Sequence, residues 1–206
     1  MAITYPLSLP TSGIRSIRMV ARNSVAISQS PFSLSSQIYK FPGQTWEADV
    51  SLPAMNRATA EEWIAFLLKL NGQYGTFTMG DPSGATARGS ASSSPGSPTV
   101  SSGTAGSQSL GITGAAANAS SYLLPGDYLQ LGSGSSSRLH KVLNTVSTNG
   151  SGAATIDIWP AIRSTASGAV VVSNPKGIFR LNTSDSSWDI DEAITYGIVF
   201  GAAEAL

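Results

Sequence analysis

The sequence contains no cysteine and only one histidine among its 206 residues. The absence of cysteine excludes disulfide bonds, zinc–thiolate sites, iron–sulfur clusters and cysteine nucleophiles. No stretch approaches the about 18 consecutive apolar residues that a membrane-spanning helix needs. The first residues also lack the basic and apolar regions of a signal peptide. We therefore expect no membrane partner and a chain that is made in the cytoplasm.

Charge is also scarce, since charged residues make up 12% of the chain, about half of the roughly 25% that is usual. Low charge is common where copies of a protein cover each other's surface, because charged groups are depleted at interface cores. The formal net charge is zero, so nothing in it attracts nucleic acid.

The charges are unevenly distributed along the chain. The segment from residue 185 to the end has no basic residue, and its acids are Asp185, Asp189, Asp191, Glu192 and Glu204. Residues 83–180 instead carry six basic and two acidic residues. This distribution fits either ordinary solvated faces or complementary charge between neighbouring subunits.

What is present in abundance is the pattern of short strands joined by turns. Apolar and polar residues alternate strictly over residues 46–52, the period of a half-buried antiparallel strand. The apolar positions are Trp46, Ala48, Val50 and Leu52. Residues 37–41 form a second candidate strand, and the Pro42-Gly43 pair between the two predicts a hairpin. Residues 13–23 are a further candidate strand beside it.

One segment, residues 59–71, has the signature of an α-helix. Thr59 followed by Glu62 is a capping box, which satisfies amide donors at the start of a helix. An apolar stripe follows at helical spacing, formed by Trp63, Phe66, Leu67 and Leu70. Asn71-Gly72 supplies a left-handed stop. We expect the helix to pack its Trp63 face on a sheet.

Composition divides the chain into two parts. Residues 83–108 are almost entirely Ser, Gly, Ala, Thr and Pro, which predicts a linker or a long loop. Residues 109–177 contain five short strand candidates, typical of a small barrel or sandwich. The alternation near the end predicts a strand that returns to the first sheet. The predicted units are therefore residues 1–82 with 178–206, and an insertion at 109–177.

A search for catalytic or metal-binding residues finds no convincing constellation. His140 has no G-x-S-x-G serine to serve, and an exposed or hydrogen-bonded strand histidine is the better interpretation. Asp189 and Asp191 resemble only half of a calcium loop. We expect no enzyme activity, no cofactor and no metal. The aromatic residues of the predicted insertion are either core residues or a stacking surface for sugars, and they are Tyr122, Tyr128 and Trp159.

Several motifs together resemble the distal tail protein family of long-tailed phages. They are Tyr5-Pro6-Leu7, the run from Gln44 to Val50, Ala60-Glu61-Glu62-Trp63, the segments 75–82, 125–132 and 158–163, and Tyr196-Gly197-Ile198. The resemblance covers nearly the whole chain, and none of its motifs is catalytic.

The resemblance implies a fold and a function. The fold is mainly β: a β-sandwich-like ring domain with one α-helix, carrying an inserted small β-barrel like an oligonucleotide/oligosaccharide-binding domain. The function is structural, in a virion. Six copies form a ring at the tail tip that joins the tail tube protein to the tail hub protein and the tail fibres. The alternative is a carbohydrate-binding module on a phage tail, used in host adsorption.

Ring formation requires two different patches of one subunit to meet. The hairpin at 37–52 and the neighbouring strand 13–23 are the expected sources of one patch, and the acidic C-terminal stretch is a candidate for the other. The arginines are expected to meet the acids either within a subunit or across the interface. The candidate inter-subunit contacts are Arg15, Arg18, Arg22, Trp46, Asp189, Asp191 and Glu192.

Overall fold

The computed structural model describes residues 3–11, 13–192 and 194–206. Residues 1, 2, 12 and 193, which fall within the predicted ring domain, lie outside the described residues. The protein is mainly β, with 44% of residues in strands and a single α-helix, α1 (Arg57–Lys69), in the described part of the chain. No helix in these ranges is long and apolar enough to cross a membrane.

The first sheet has seven strands drawn from both ends of the chain. They are β1 (Leu7–Ser8), β2 (Ser16–Gln29), β3 (Ser36–Ser51), β4 (Phe77–Met79), β11 (Gly177–Leu181), β12 (Trp188–Ile190) and β13 (Tyr196–Glu204). Their order is β1-β4-β11-β13-β3-β2, and β12 pairs with β13 off this path. The last strand, β13, thus lies between β3 and β11, antiparallel to both.

The second sheet has six strands and is nearly closed into a barrel. They are β5 (Gly96–Ser102), β6 (Ser109–Ala115), β7 (Tyr128–Leu131), β8 (Arg138–Val142), β9 (Ala154–Trp159) and β10 (Val170–Val171). Their order is β10-β7-β8-β9-β6-β5. A bridge between Thr99 and Ala169 joins β5 to the residues just before β10. The sequence-based fold class, a β-sandwich-like part plus a small barrel, is confirmed.

The alternation predicted for residues 46–52 is confirmed, because all four apolar side chains are buried. They belong to the same core cluster as the buried residues of α1, which include Trp63, Phe66 and Leu67. Aromatic rings pack the helix against the sheet: the ring centroids of Phe66 in α1 and Phe77 in β4 are 5.6 Å apart. The expected packing of the Trp63 face on a sheet is therefore present.

The start of the helix differs from the prediction. The helix begins at Arg57, and the side chain of Asn56 accepts a hydrogen bond from the backbone N–H of Thr59 (3.1 Å). Asn is among the best N-cap residues, so the capping box at Thr59 is overridden by a stronger cap three residues earlier. The predicted stop is correct, since Asn71 and Gly72 have φ angles of 51° and 65°.

The segment predicted as a linker, residues 83–108, is more ordered than its composition indicated. It forms a short 3-10 helix (Ser90–Ser92) and strand β5, which pairs with β6. Small residues do not prevent a strand, because strand pairing uses backbone hydrogen bonds. The segment also contributes buried side chains, among them Ala87 and Ala91. The predicted division into domains stays a prediction, because sheet membership alone does not define independently folding units.

Candidate assembly surface

The most prominent surface feature is a two-stranded ribbon, residues 24–43, which we call the arm. The hairpin predicted around Pro42-Gly43 is wrong: β3 runs through both residues as one long strand and pairs with β2 along its whole length. The real turn lies at residues 30–35. Five residue pairs, from Val25↔Lys40 to Gln29↔Ser36, form the arm's ladder. At about 3.3 Å per residue it projects roughly 20 Å with its tip.

A bulge marks the base of the arm. The register passes from Asn23↔Gln44 to Val25↔Lys40, so three residues of β3 stand opposite Ser24 alone. Pro42 lies in this bulge, and it has no N–H to offer a ladder. Proline is tolerated in strands at bulges and edges, which explains why Pro-Gly bends this strand without ending it.

The arm has no layer of protein behind it. Every residue from 24 to 43 is exposed apart from Ser30, which is half-buried. Its exposed apolar side chains lie on both faces and at the tip, where Phe32 is 97% exposed; the others are Val25, Ile27, Leu34, Ile38, Tyr39 and Phe41. The only charged residue between 23 and 46 is Lys40. The arm is thus apolar, weakly basic and free of acid.

The base of the arm is held by the six-stranded sheet. Asn23 accepts a hydrogen bond from the Trp159 indole N–H (2.9 Å), and the Gln44 side chain accepts one from the backbone N–H of Ala161 (2.7 Å). Arg163 donates to the Gln44 carbonyl and to the Glu204 carboxylate. These contacts fix the direction in which the arm leaves the body.

The arginines predicted as contacts all lie along β2 or beside it. Arg18 pairs with Asp49 (3.6 Å) and Arg22 with Glu47 (2.7 Å), across the β2–β3 ladder. Within the subunit they therefore meet the acids of β3 and not those of the C-terminal stretch. Arg15 precedes the strand and is exposed. Arg18 and Arg22 keep 79% and 65% of their side chains exposed although each is paired with an acid, and Arg15 adds one further exposed positive charge at this sheet edge.

Trp46 does not present a surface to another subunit. Its side chain is 4% exposed, and its indole N–H donates to the carbonyl of Leu139 (3.0 Å) in the six-stranded sheet. Its ring meets that of Trp159 edge to face. The expectation that Trp46 contacts another subunit is therefore wrong for its buried side chain, which joins the two sheets of one chain.

The predicted acidic contacts lie together on the other side of the seven-stranded sheet. β12 pairs with residues 196–198 of β13, while Leu52 and Met55 occupy the opposite side of the same residues. β12 is thus on the side away from β2. Asp189, Asp191 and Glu192 are all exposed there. Exposed apolar residues accompany them: Trp188, Ile190 and Ile194. We call residues 185–192 with Ile194 the acidic edge.

One acid of this edge has a local structural role. The Asp191 carboxylate accepts hydrogen bonds from the backbone N–H (2.8 Å) and the hydroxyl (2.6 Å) of Thr195. Ile194 has a φ angle of 58° in this turn and precedes β13, which begins at Tyr196. The turn leaves Ile194 pointing to solvent, 68% exposed.

The remaining candidates from the sequence are structural. His140 is buried and its Nδ1 donates to the Pro160 carbonyl (2.8 Å), which is the hydrogen-bonded strand histidine that was expected. Asp127 accepts from the backbone N–H groups of Leu124 and Arg88, as a turn aspartate does. In the described part of the chain, no group of three or more His, Asp or Glu side chains is arranged to hold a metal ion.

The aromatic residues considered for stacking on sugars face inward. Tyr122 and Tyr128 are buried, and the Tyr122 hydroxyl donates to the Pro95 carbonyl (2.7 Å). Trp159 is half-buried against Trp46 and lies between the two sheets. None of the three offers an open ring face on the barrel's outer surface.

No protein-family model matches the chain, and no curated protein is significantly similar to it. The surface must therefore be interpreted from its own geometry. Sequence reasoning placed the basic and acidic patches but missed the arm. The sequence did contain a signal for the arm. Residues 24–45 mix apolar and uncharged polar residues and carry a single charge, Lys40.

Proposed function

We propose that the chain is a non-enzymatic structural subunit that assembles with copies of itself into a closed ring. The observation that carries the proposal is the arm, a two-stranded ribbon with seven exposed large apolar side chains and no supporting layer. An isolated two-stranded hairpin is marginally stable at best in water. A ribbon of this composition is therefore expected to be covered in the working form of the protein.

The free energy that burial of the arm's apolar side chains would contribute favours a protein partner. Burying one Val, Leu, Ile or Phe side chain contributes about 1.5–3 kcal/mol. Covering most of the arm's apolar residues would contribute on the order of 10 kcal/mol, against an association cost of about 4–15 kcal/mol. The arm can thus supply a large part of a stable interface, and salt bridges at its base can supply specificity.

The partner surface is present on the same chain. The acidic edge combines exposed apolar residues, Trp188, Ile190 and Ile194, with exposed acids. The arm and the edge of β2 combine apolar residues with the positive charges of Lys40 and Arg15; Arg18 and Arg22 are already paired with Asp49 and Glu47. The two surfaces are complementary in charge and lie at opposite sides of one sheet. Contact between two different patches of identical subunits is heterologous, and it closes into a ring when the rotation permits.

The setting we propose is the tip of a phage tail, in the virion. The support is the sequence resemblance to distal tail proteins together with a fold of matching type, a sheet with one helix plus a small barrel. In this proposal the ring has six copies and contacts the tail tube protein on one side and the tail hub protein, with its fibres, on the other. The aromatic residues do not support the carbohydrate-binding alternative, because Tyr122 and Tyr128 are buried and Trp159 packs against Trp46.

The proposal is tested by light scattering on the purified full-length chain and two matched variants. In Ile27→Asn/Ile38→Asn the arm loses two exposed apolar side chains that no other layer supports. In Leu143→Asn an exposed apolar residue of the barrel is changed instead. We expect an oligomer for the wild type and Leu143→Asn, and a monomer for the arm variant. A wild type that stays monomeric at micromolar concentration, or an arm variant that assembles normally, would contradict the proposal.

A further inference from the structure

A second surface feature, unrelated to the arm, is a hollow in the barrel that we call the arginine pocket. It lies between the β7–β8 connection and the loop that follows β9, and its volume is about 330 Å³. Its lining includes Ser133, Arg138, His140, Arg163, Thr165 and Ser167. Small-molecule sites occupy about 300–1,000 Å³, so the hollow has room for a molecule the size of a single sugar.

The charged groups of the pocket are of one sign. Arg138 and Arg163 both line it, and none of its described lining residues is acidic. Arg138 uses one guanidinium nitrogen, which donates to the Ser137 carbonyl (3.2 Å). Its other nitrogens have no hydrogen-bond partner within the described ranges. In a chain with 12% charged residues, two arginines in one hollow without an acid are a notable concentration.

Arg163 is held in place from behind. One terminal nitrogen donates to the Gln44 carbonyl and to the buried carboxylate of Glu204 (3.1 Å). Its Nε is buried and has no partner among the described residues. Glu204 therefore neutralises part of this charge and fixes the guanidinium, while the arginine keeps unused donors. A donor held rigidly before a ligand arrives loses little entropy on binding.

His140 adds an acceptor. Because a carbonyl can only accept, the Nδ1 that contacts Pro160 carries the hydrogen, and Nε2 of the neutral ring has a free lone pair. The pKa of His140 is lowered to about 4, mainly by burial and also by the positive charges of Arg163 and Arg138, although the hydrogen bond to Pro160 acts in the opposite direction. The ring is thus neutral near pH 7 and accepts a hydroxyl donor. His140, Arg138 and Arg163 all line the same hollow.

We propose that the arginine pocket binds a small hydroxylated anion, with its phosphate or carboxylate group on the guanidiniums of Arg138 and Arg163. The planar fork of arginine matches the geometry of both anions. The ligand's hydroxyl groups are recognised by Ser133, Thr165, Ser167 and the neutral His140. Acidic sugars and sugar phosphates have this combination of groups. The site does not overlap the proposed ring contacts, since none of its lining residues belongs to the arm or the acidic edge.

The test is calorimetric titration of the full-length chain at pH 7 with inorganic phosphate, glucuronate and glucose. We expect glucuronate or phosphate to bind, more weakly as salt concentration rises, and glucose not to bind. Binding of phosphate alone or of glucuronate alone supports the proposal and identifies the anionic group. No binding of either anion, or equal binding of glucose, would overturn it.

Two pairs of variants locate the site. Ser133→Glu adds a negative charge inside the pocket, while Ser135→Glu adds the same charge in the same loop at a residue that does not line it; both positions are exposed, so both chains should fold. Arg138→Gln removes a half-exposed guanidinium, and Arg57→Gln removes an exposed one on α1. We expect Ser133→Glu and Arg138→Gln each to weaken binding about tenfold or more, and their partners to leave it unchanged. Equal effects within either pair would assign the binding to another surface.

Discussion

Trp46 of β3 and Trp159 of β9 meet edge to face, with their ring centroids 4.4 Å apart and their planes at 84°. Each indole also donates a hydrogen bond to the sheet of its partner. The Trp46 N–H donates to the carbonyl of Leu139 in the barrel, and the Trp159 N–H donates to the side chain of Asn23 at the base of the arm. Edge-to-face pairs contribute about 0.5–1.5 kcal/mol beyond their buried area. This pair therefore couples the barrel to the strand pair that carries the arm.

Replacing Trp159 tests that coupling. Trp159→Ala removes the ring contact and the bond to Asn23, and we expect a loss of about 2–3 kcal/mol in the free energy of unfolding, below the cost for a fully buried Trp. Urea unfolding measures it. The matched control is Trp188→Ala on the acidic edge, measured in the monomer, where a smaller loss of about 1 kcal/mol is expected because 37% of Trp188 is exposed. Equal losses would show that Trp159 does not hold the sheets together.

The cap of α1 provides a test of local structure. Asn56→Ala removes the acceptor for the Thr59 N–H, and the expected cost is about 1 kcal/mol. Thr59→Ala, at the position that the sequence pattern had suggested as the cap, should cost much less. Thermal or urea unfolding of both variants decides between them, and a larger loss for Thr59→Ala would restore the original prediction.

His140 predicts a specific dependence of stability on pH. Its pKa is about 4 in the folded chain and about 6.5 when unfolded, so the unfolded state binds more protons between these values. Stability from this group is complete above about pH 6.5 and is lost as pH falls towards 4, by up to about 3 kcal/mol. Asparagine can keep the hydrogen bond to Pro160 without titrating.

The measurement is urea unfolding of the wild type and His140→Asn between pH 4 and 7. Carboxylates titrate in the same range in both proteins, so the informative quantity is the difference between the two curves. We expect the wild type to lose more stability than the variant on acidification. Parallel curves would mean that His140 is not the group responsible.

The orientation of subunits can be tested because the chain has no cysteine. Two variants, Ile27→Cys on the arm and Ile190→Cys on the acidic edge, are purified separately, mixed and oxidised. A head-to-tail contact predicts disulfide-linked dimers in the mixture that exceed those in either variant alone. If Ile27→Cys alone forms more disulfide-linked dimer than the mixture does, the contact is instead symmetric, from arm to arm.

The parts of the fold with a periodic sequence pattern could be predicted, whereas the parts without one could not. The alternation at Trp46 to Leu52 and the helical stripe at Trp63 report which faces are buried, so both were correct. Pro42-Gly43 is a turn signal on its own, but here it lies in a bulge whose partner strand continues past it. A dipeptide does not reveal whether the opposite strand continues.

The candidate surface was only partly predictable for a related reason. The positions of Arg18 and Arg22 could be assigned to a strand from the sequence, and the structure places these arginines and the acids of β12 at opposite sides of β13 and β3. The exposure of Ile27 and Ile38 could not be predicted. The sequence pattern of an alternating strand is the same whether its apolar face packs on a core or, as here, is exposed.

Electron microscopy of negatively stained, purified protein tests the central claim most directly. The account predicts closed rings of uniform size, which disappear in the Ile27→Asn/Ile38→Asn variant and persist in Leu143→Asn. A field of single particles of monomer size at micromolar concentration, with the arm intact, would contradict it.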